Sequence, residues 1–219
     1  MAINKGQSEV VTFVMLGGVV VALVGAAYMW GAPLTEKRSS LAESESTVAF
    51  FNALDSRIQQ IAQTCTGTCI ESIDISPKGV FSSFNYEQYY KGLGAGMANE
   101  LNNSIVLNVT AARNVYALDR WIGINTGNLQ WYANFGEKEG VTMVRMIKTP
   151  RSEYEAVYKL WYREVDTPNK GFLIELETGP VKSATSGRIT ITYTGRFVIT
   201  SGAANGKDLE ISRLRVDFT

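Results

Sequence analysis

From Val10 to Pro33 the chain reads VVTFVMLGGVVVALVGAAYMWGAP, a run without a charge in which Thr12 is the only clearly polar side chain. A stretch this long and apolar demands a helix that lies in lipid or among other apolar helices. At about 1.5 Å per residue its 24 residues reach roughly 36 Å, against about 30 Å of hydrocarbon in a bilayer. Tyr28 and Trp30 fall near the far end, where amphipathic rings favour the headgroup layer. One reading is a secretory signal peptide, whose apolar region runs about 7 to 15 residues to a small-residue cleavage site. The run is too long for that, although Gly25-Ala26-Ala27 offers a weak site of the kind. A plain single-pass anchor is the second reading. Its flanks leave orientation open, because Lys5 precedes the run while Lys37 and Arg38 follow it.

A third reading comes from the residues immediately upstream. The sequence Met1-Ala2-Ile3-Asn4-Lys5-Gly6-Gln7-Ser8-Glu9 sets a basic residue and a glycine before a short polar stretch that enters the apolar run directly. This resembles the class III signal peptide of archaeal type IV pilin-like proteins. The resemblance implies cutting by a prepilin peptidase on the cytoplasmic side, after Gly6 and with Lys5 before it, so that Gln7 becomes the new first residue and the apolar helix is retained. Glu9 is then third in the mature chain, whereas bacterial type IV pilins carry their glutamate fifth; Gln7-Ser8-Glu9 is also contiguous where one described form of the motif is more widely spaced. In the membrane, Glu9 sits at the interface near the positive end of the helix dipole. In a helix-packed filament a buried carboxylate costs several kcal/mol unless it is paired, and the amine of Gln7 on an adjacent subunit is its natural partner. Gly18, Ala22 and Ala26 recur every fourth residue, placing three small side chains on one face where another helix can approach closely.

Beyond the apolar run, Pro33 predicts a kink or hinge, followed by the polar stretch Leu34 to Ser40. Helical periodicity then resumes: Leu41, Val48, Phe51, Leu54, Ile58 and Ile61 keep spacings of three, four and seven, with Glu43, Glu45, Asp55, Arg57 and Gln59 between them. The division expected is a leader over 1–6, a membrane or filament-core helix over 7–33, an amphipathic helix over 34–64, and an extracellular domain over 65–219. Cys65 and Cys69 bracket Thr-Gly-Thr and are the only cysteines. They lack the further ligands of a structural zinc site and the spacing of a redox pair, so a local disulfide is expected, with Gly67 easing the turn. Such a bond belongs to an oxidising compartment outside the cytoplasm.

After Cys69 the period changes from 3.6 to 2. Tyr154, Ala156, Tyr158, Leu160 and Tyr162 alternate with Glu155, Val157, Lys159, Trp161 and Arg163, and similar runs occupy about 69–75, 104–111, 141–147, 171–177, 187–200 and 207–218. Turn signals at Pro77-Lys78-Gly79, Glu137 to Gly140, Thr167 to Gly171 and Asn205-Gly206 separate them. The fold class expected is α+β, a long N-terminal helix followed by an antiparallel β-sandwich. The last two strands form a hairpin in this reading, and the slip between Ile211 and Leu214 predicts a β-bulge near Ser212-Arg213.

The remaining chemistry is sparse. Lys+Arg and Asp+Glu balance at 21 each, so no basic surface for nucleic acid is expected. The chain has no histidine, which removes Ser-His-Asp and Cys-His catalysis and histidine-ligated metal. Lys91-Gly92-Leu93-Gly94-Ala95-Gly96 lacks the strand and helix that a nucleotide-binding glycine loop requires, and is expected to be a loop. Tyr86, Tyr89 and Tyr90 precede it as core or as a contact patch, and Glu175 and Glu177 alternate on the wet face of a strand rather than serve as acid and base. Asn102 and Asn108 head glycosylation sequons. The expectation is therefore a non-enzymatic subunit without cofactor, at the cell surface, that polymerises into an adhesive filament after leaving the membrane. A tethered, non-polymerising binding protein resembling the archaellum stator is the alternative, and a secreted or tethered hydrolase using carboxylates is a third class.

Overall fold

The computed structural model describes residues 5–86, 101–111, 113–127, 129–130, 132–151 and 153–219, with side chains from residue 11 onward. A single helix, α1 (Lys5–Thr64), carries the chain from the apolar run into the folded domain and ends where the heptad-like spacing ends. At Pro33, where a kink or hinge is expected, the chain stays helical: the proline lies inside α1. It deprives the Met29 carbonyl of a donor, yet the turn around it stays closed, with Thr35 Oγ1 donating to the Gly31 carbonyl at 3.1 Å.

Only the second half of α1 docks. Phe51, Leu54, Ile58 and Ile61 are buried as their spacing predicts, joined by Phe50, Ala62 and Cys65. Leu41, expected on this face, is exposed, and Asp55, expected between the apolar positions, is buried. Asp55 stands four residues after Phe51 and three before Ile58, so it shares their side of the helix. The docked face enters an aromatic cluster in which the Phe50 and Phe81 rings lie 5.4 Å apart and Phe51 stacks on Tyr158 at 6.3 Å.

The domain is built from β1 (Ile70–Asp74), β2 (Val80–Phe84), β3 (Ser104–Ala111), β4 (Ile122–Gly123), β5 (Tyr132–Ala133) and β6 (Gly140–Lys148). These are followed by β7 (Tyr154–Tyr162), β8 (Glu164–Asp166), β9 (Gly171–Thr178), β10 (Ser183–Ala184), β11 (Arg188–Ile199) and β12 (Leu209–Phe218). They form two six-stranded sheets, ordered β1-β11-β12-β9-β8-β5 and β10-β2-β3-β7-β6-β4. Both sheets and the docked half of α1 contribute to one core, so the architecture is α+β as expected. Most pairings are antiparallel, but β12 pairs β9 in parallel, and so do the short strands β5 and β8. The β9-to-β12 connection runs through β10 and β11, which lets Leu209–Val216 lie alongside Gly171–Thr178 in the same direction.

The last two strands pair antiparallel, but the irregularity is in β11 rather than at Ser212-Arg213: the register shifts between Tyr193 and Gly195. Thr194 is the extra residue, with its Oγ1 donating to the Arg213 carbonyl at 3.1 Å, and Gly195 takes φ 152°, which a side chain would resist. The slip in β12 has another origin. Ser212, Leu214, Val216 and Phe218 face the main core, whereas Leu209 and Ile211 face a smaller cluster with Leu173 and Ala203, against which Tyr86, Phe197 and Ile199 pack. The strand keeps its alternation; the apolar cover changes sides.

Two polar residues fasten the layers. Asn103 is buried between the sheets with its amide satisfied three ways: Nδ2 donates to the carbonyls of Tyr162 at 2.9 Å and Ile174 at 2.8 Å, and Oδ1 accepts from the Leu176 amide at 2.8 Å. Arg163, the largest fully buried side chain among the described residues, donates to the carbonyls of Lys138 and Gln130 and so anchors the loop before β6. At the end of α1 the Ala62 carbonyl accepts from Ser212 Oγ at 3.1 Å and from the Arg196 guanidinium, satisfying one of the carbonyls a helix end leaves open.

Cys65 and Cys69 form the expected disulfide, with Cα atoms 6.1 Å apart. It ties the last turn of α1 to the start of β1. Closing so small a ring contributes about 2 kcal/mol on the chain-entropy account. Gly67 is not in the left-handed region, and a Cβ there would meet nothing within 4 Å, so the ring does not depend on glycine.

Candidate functional site

The feature that sets this molecule apart is the half of α1 that docks on nothing. From Val11 to Leu34 the side chains stand almost wholly exposed, with Phe13 at 77% and Trp30 at 82%. Isolated exposed apolar residues are ordinary, but a contiguous apolar surface of this extent is a contact surface. The helix is long and apolar enough to cross a membrane, and its most apolar stretch is wholly unburied in the single chain. It is therefore a candidate membrane anchor or signal segment.

Gly18, Ala22 and Ala26 lie on this exposed helix with a continuous i, i+4 spacing, and Cβ atoms built at Gly17, Gly18 and Gly25 would meet nothing within 4 Å. The face is open to close approach by a second helix. Lys5, Gly6, Gln7 and Glu9 belong to the helical backbone of α1, and their side chains lie outside the described ones.

The folded domain begins to grip the helix just past the apolar run. Arg113 pairs with Glu36 at 2.9 Å, and Ser44 shares a hydrogen bond of 2.6 Å with the Tyr116 hydroxyl. These contacts, on the 113–118 segment after β3, fix the domain to the helix from residue 36 upward. An exposed ion pair such as Arg113–Glu36 contributes little energy on its own. Its value here is positional: it marks where the free apolar helix ends and the docked helix begins.

The other candidates from the sequence are placed as follows. Asn108 and Thr110 are both exposed on β3, so that sequon is open to solvent. Asn102 is half-buried, and the hydroxyl of its sequon partner Ser104 is buried and donates to the Leu101 carbonyl. Glu175 and Glu177 lie with Arg213, each 3.2 Å from its guanidinium, while that guanidinium stacks over Phe197 at 4.6 Å. Burial pushes the Glu175 carboxyl up despite the arginine. Tyr86 packs on the smaller apolar cluster, and burial together with the charges of Glu164 and Glu175 raises its hydroxyl to about 12. Tyr89, Tyr90 and the Lys91 to Gly96 stretch lie outside the described residues.

Sequence reasoning missed two groupings. Trp121 lies over both Arg145, at 4.8 Å, and Lys159, at 4.6 Å, covering the outer side of β6 and β7 with a cation–π stack. The stack accounts for the burial of Lys159, a charged residue on β7. The second grouping joins Asp55 on α1 to Tyr162 on β7, with the Tyr162 hydroxyl donating to Asp55 Oδ1 at 2.7 Å and Gln59 Nε2 reaching both carboxylate oxygens. Asp55 carried a signal, since its position repeats with the apolar residues; Trp121 carried none.

Among the described residues no group of three or more histidine, cysteine, aspartate or glutamate side chains is arranged to hold a metal ion. Compared with protein-family models, curated proteins and solved structures, the chain matches none.

Proposed function

We propose that this chain is a structural subunit of an archaeal type IV pilin-like filament: a short leader ending at Gly6, an apolar assembly helix, and a β-sandwich displayed outside the cell. The observation that supports it most is the continuity of α1 across Pro33. One helix joins an unpartnered apolar half to a half sunk in the domain core, so packing the apolar halves side by side places the domains on the outside. Lipid tails are as apolar as the helix, so transfer from membrane to bundle depends on close contact at Gly18, Ala22 and Ala26 and on pairing Glu9 with the amine of a neighbouring Gln7.

In this reading the membrane is the reservoir, a prepilin peptidase and the pilus assembly machinery are the partners, and other copies of the chain are the final environment of the helix. The disulfide and the solvent-facing Asn108 sequon suit a domain outside the cytoplasm. Adhesion follows from what the displayed domain touches.

Intact mass of the protein extracted from its native membrane or surface fraction tests the reading. The expected chain begins at Gln7. A chain that keeps Met1, or one that begins near Tyr28, contradicts it, the first favouring a non-polymerising tethered binding protein and the second a secreted one.

A further inference from the structure

We propose that the seam between α1 and the β-domain is a proton-sensitive clamp, in which Asp55 and Glu139 share one buried, cation-poor enclosure and the helix is held more tightly with Glu139 protonated than with both carboxyls ionised. The inference rests on the docked half of the helix and stands whether or not the chain polymerises.

Asp55 is 7% exposed on the docked face of α1. Its neighbours across the seam come as close as sterics allow, because a Cβ at Gly140 would lie 2.2 Å from Asp55 Oδ1. Gly140 begins β6, and Glu139 is the residue before it, so the second carboxyl belongs to the residue next to the backbone that presses on Asp55, and it feels the Asp55 charge. Glu139 Oε2 is buried and accepts no hydrogen bond among the described residues.

Among the described residues, the following charged or polar groups surround the two carboxyls. From α1 come Asp55 and the Gln59 amide, which donates to it. From β7 comes the Tyr162 hydroxyl, which burial keeps protonated and therefore a donor to Asp55. Next to it is Arg163, whose guanidinium is directed to the Lys138 and Gln130 carbonyls and lies 3.6 Å from Glu137. From the turn before β6 comes Lys138, whose charge favours ionised Asp55 but is outweighed by burial. Asp55 thus receives the Tyr162 and Gln59 donors, while Glu139 keeps a buried Oε2 without a hydrogen bond among the described residues and the charge of Asp55 as a neighbour.

Two like charges in a poorly solvated enclosure oppose each other's ionisation. Burial first and the charge of Asp55 second push Glu139 up to about 7 from its ordinary 4.5. Between those two values the folded chain binds a proton that the unfolded chain releases, so stability falls as pH rises through the window and levels off above it.

The test uses the full-length chain in detergent micelles, following thermal unfolding at pH 5 and pH 8 for the wild type and Glu139→Gln. Glutamine imitates the protonated carboxyl. The wild-type midpoint is expected to fall by about 5 °C more than that of the variant between the two pH values, with the variant the more stable at pH 8. Parallel pH dependences overturn the proposal. Should Glu139→Gln fail to fold, carboxyl carbon NMR of the wild type decides it: titration of Glu139 near neutrality supports the clamp, and titration near 4.5 refutes it. Asp55→Asn, read by the same NMR titration, is expected to move the Glu139 midpoint downward, and an unmoved midpoint removes Asp55 from the account.

Discussion

Alanine in place of Asn103 lowers the unfolding free energy by about 3 to 5 kcal/mol, enough to leave a domain of ordinary stability barely folded. The substitution removes one side chain but strands three buried backbone groups: the carbonyls of Tyr162 and Ile174 and the amide of Leu176. Each unmade bond to a buried group costs about 1 to 3 kcal/mol, and three that share one site add less than their sum. The backbone adds to the effect, because Asn103 sits at φ 51°, a conformation asparagine tolerates better than alanine. Denaturant unfolding of the wild type and Asn103→Ala measures it. A loss below about 1 kcal/mol would mean that the two sheets are not fastened at this residue.

The second large effect concerns processing. Replacing Gly6 with leucine puts a branched side chain at the position before the proposed cut, and the expected result is loss of both mature chain and fibres. Intact mass should show only the precursor, still membrane-bound, since the apolar run is untouched. The physical reason is that an uncut leader keeps its charged end at the membrane surface and leaves Glu9 without the neighbouring amine that would offset its burial. Gly6→Leu cells that still display normal fibres would show that the amine at Gln7 is not needed for assembly.

Much of the fold was legible because burial follows period. α1 ends at Thr64, one turn past Ile61, the last position of its apolar spacing, and β3 spans Ser104–Ala111, the bounds expected from the two patterns. The local disulfide followed from having two cysteines close in sequence and nothing else for them to bind. What was not legible depends on distant partners. β2 escaped notice because Ser82 and Ser83 dilute its pattern, although Phe81 and Ser83 are buried against the core. The change of side in β12 looks like a bulge in one strand viewed alone, and only the pairing with β9 and β11 shows two clusters on opposite faces.

At Pro33 the helix continues without ending. A proline inside a helix removes one hydrogen bond, which is a local loss, whereas Ala32 and Leu34 beside it and Glu36, Lys37 and Arg38 beyond it favour the helix. At the candidate assembly helix the sequence carried nearly all the information, because exposure of an uncharged run needs no partner to recognise. At the helix-to-domain seam it carried little. Asp55 and Glu139 are far apart in the chain, and their common enclosure exists only once β6 and β7 are laid against α1.

The final environment of the apolar half of α1 separates a filament subunit from a tethered single chain. A cryo-EM reconstruction of fibres sheared from cells that express the chain with its assembly machinery addresses this directly. The predicted map has a central bundle into which residues 11–34 thread, Gly18, Ala22 and Ala26 at helix crossings, and the disulfide-tied β-domains on the outside. Fibres whose core is built from any other chain, with this protein recovered only as single copies in the membrane, would contradict it.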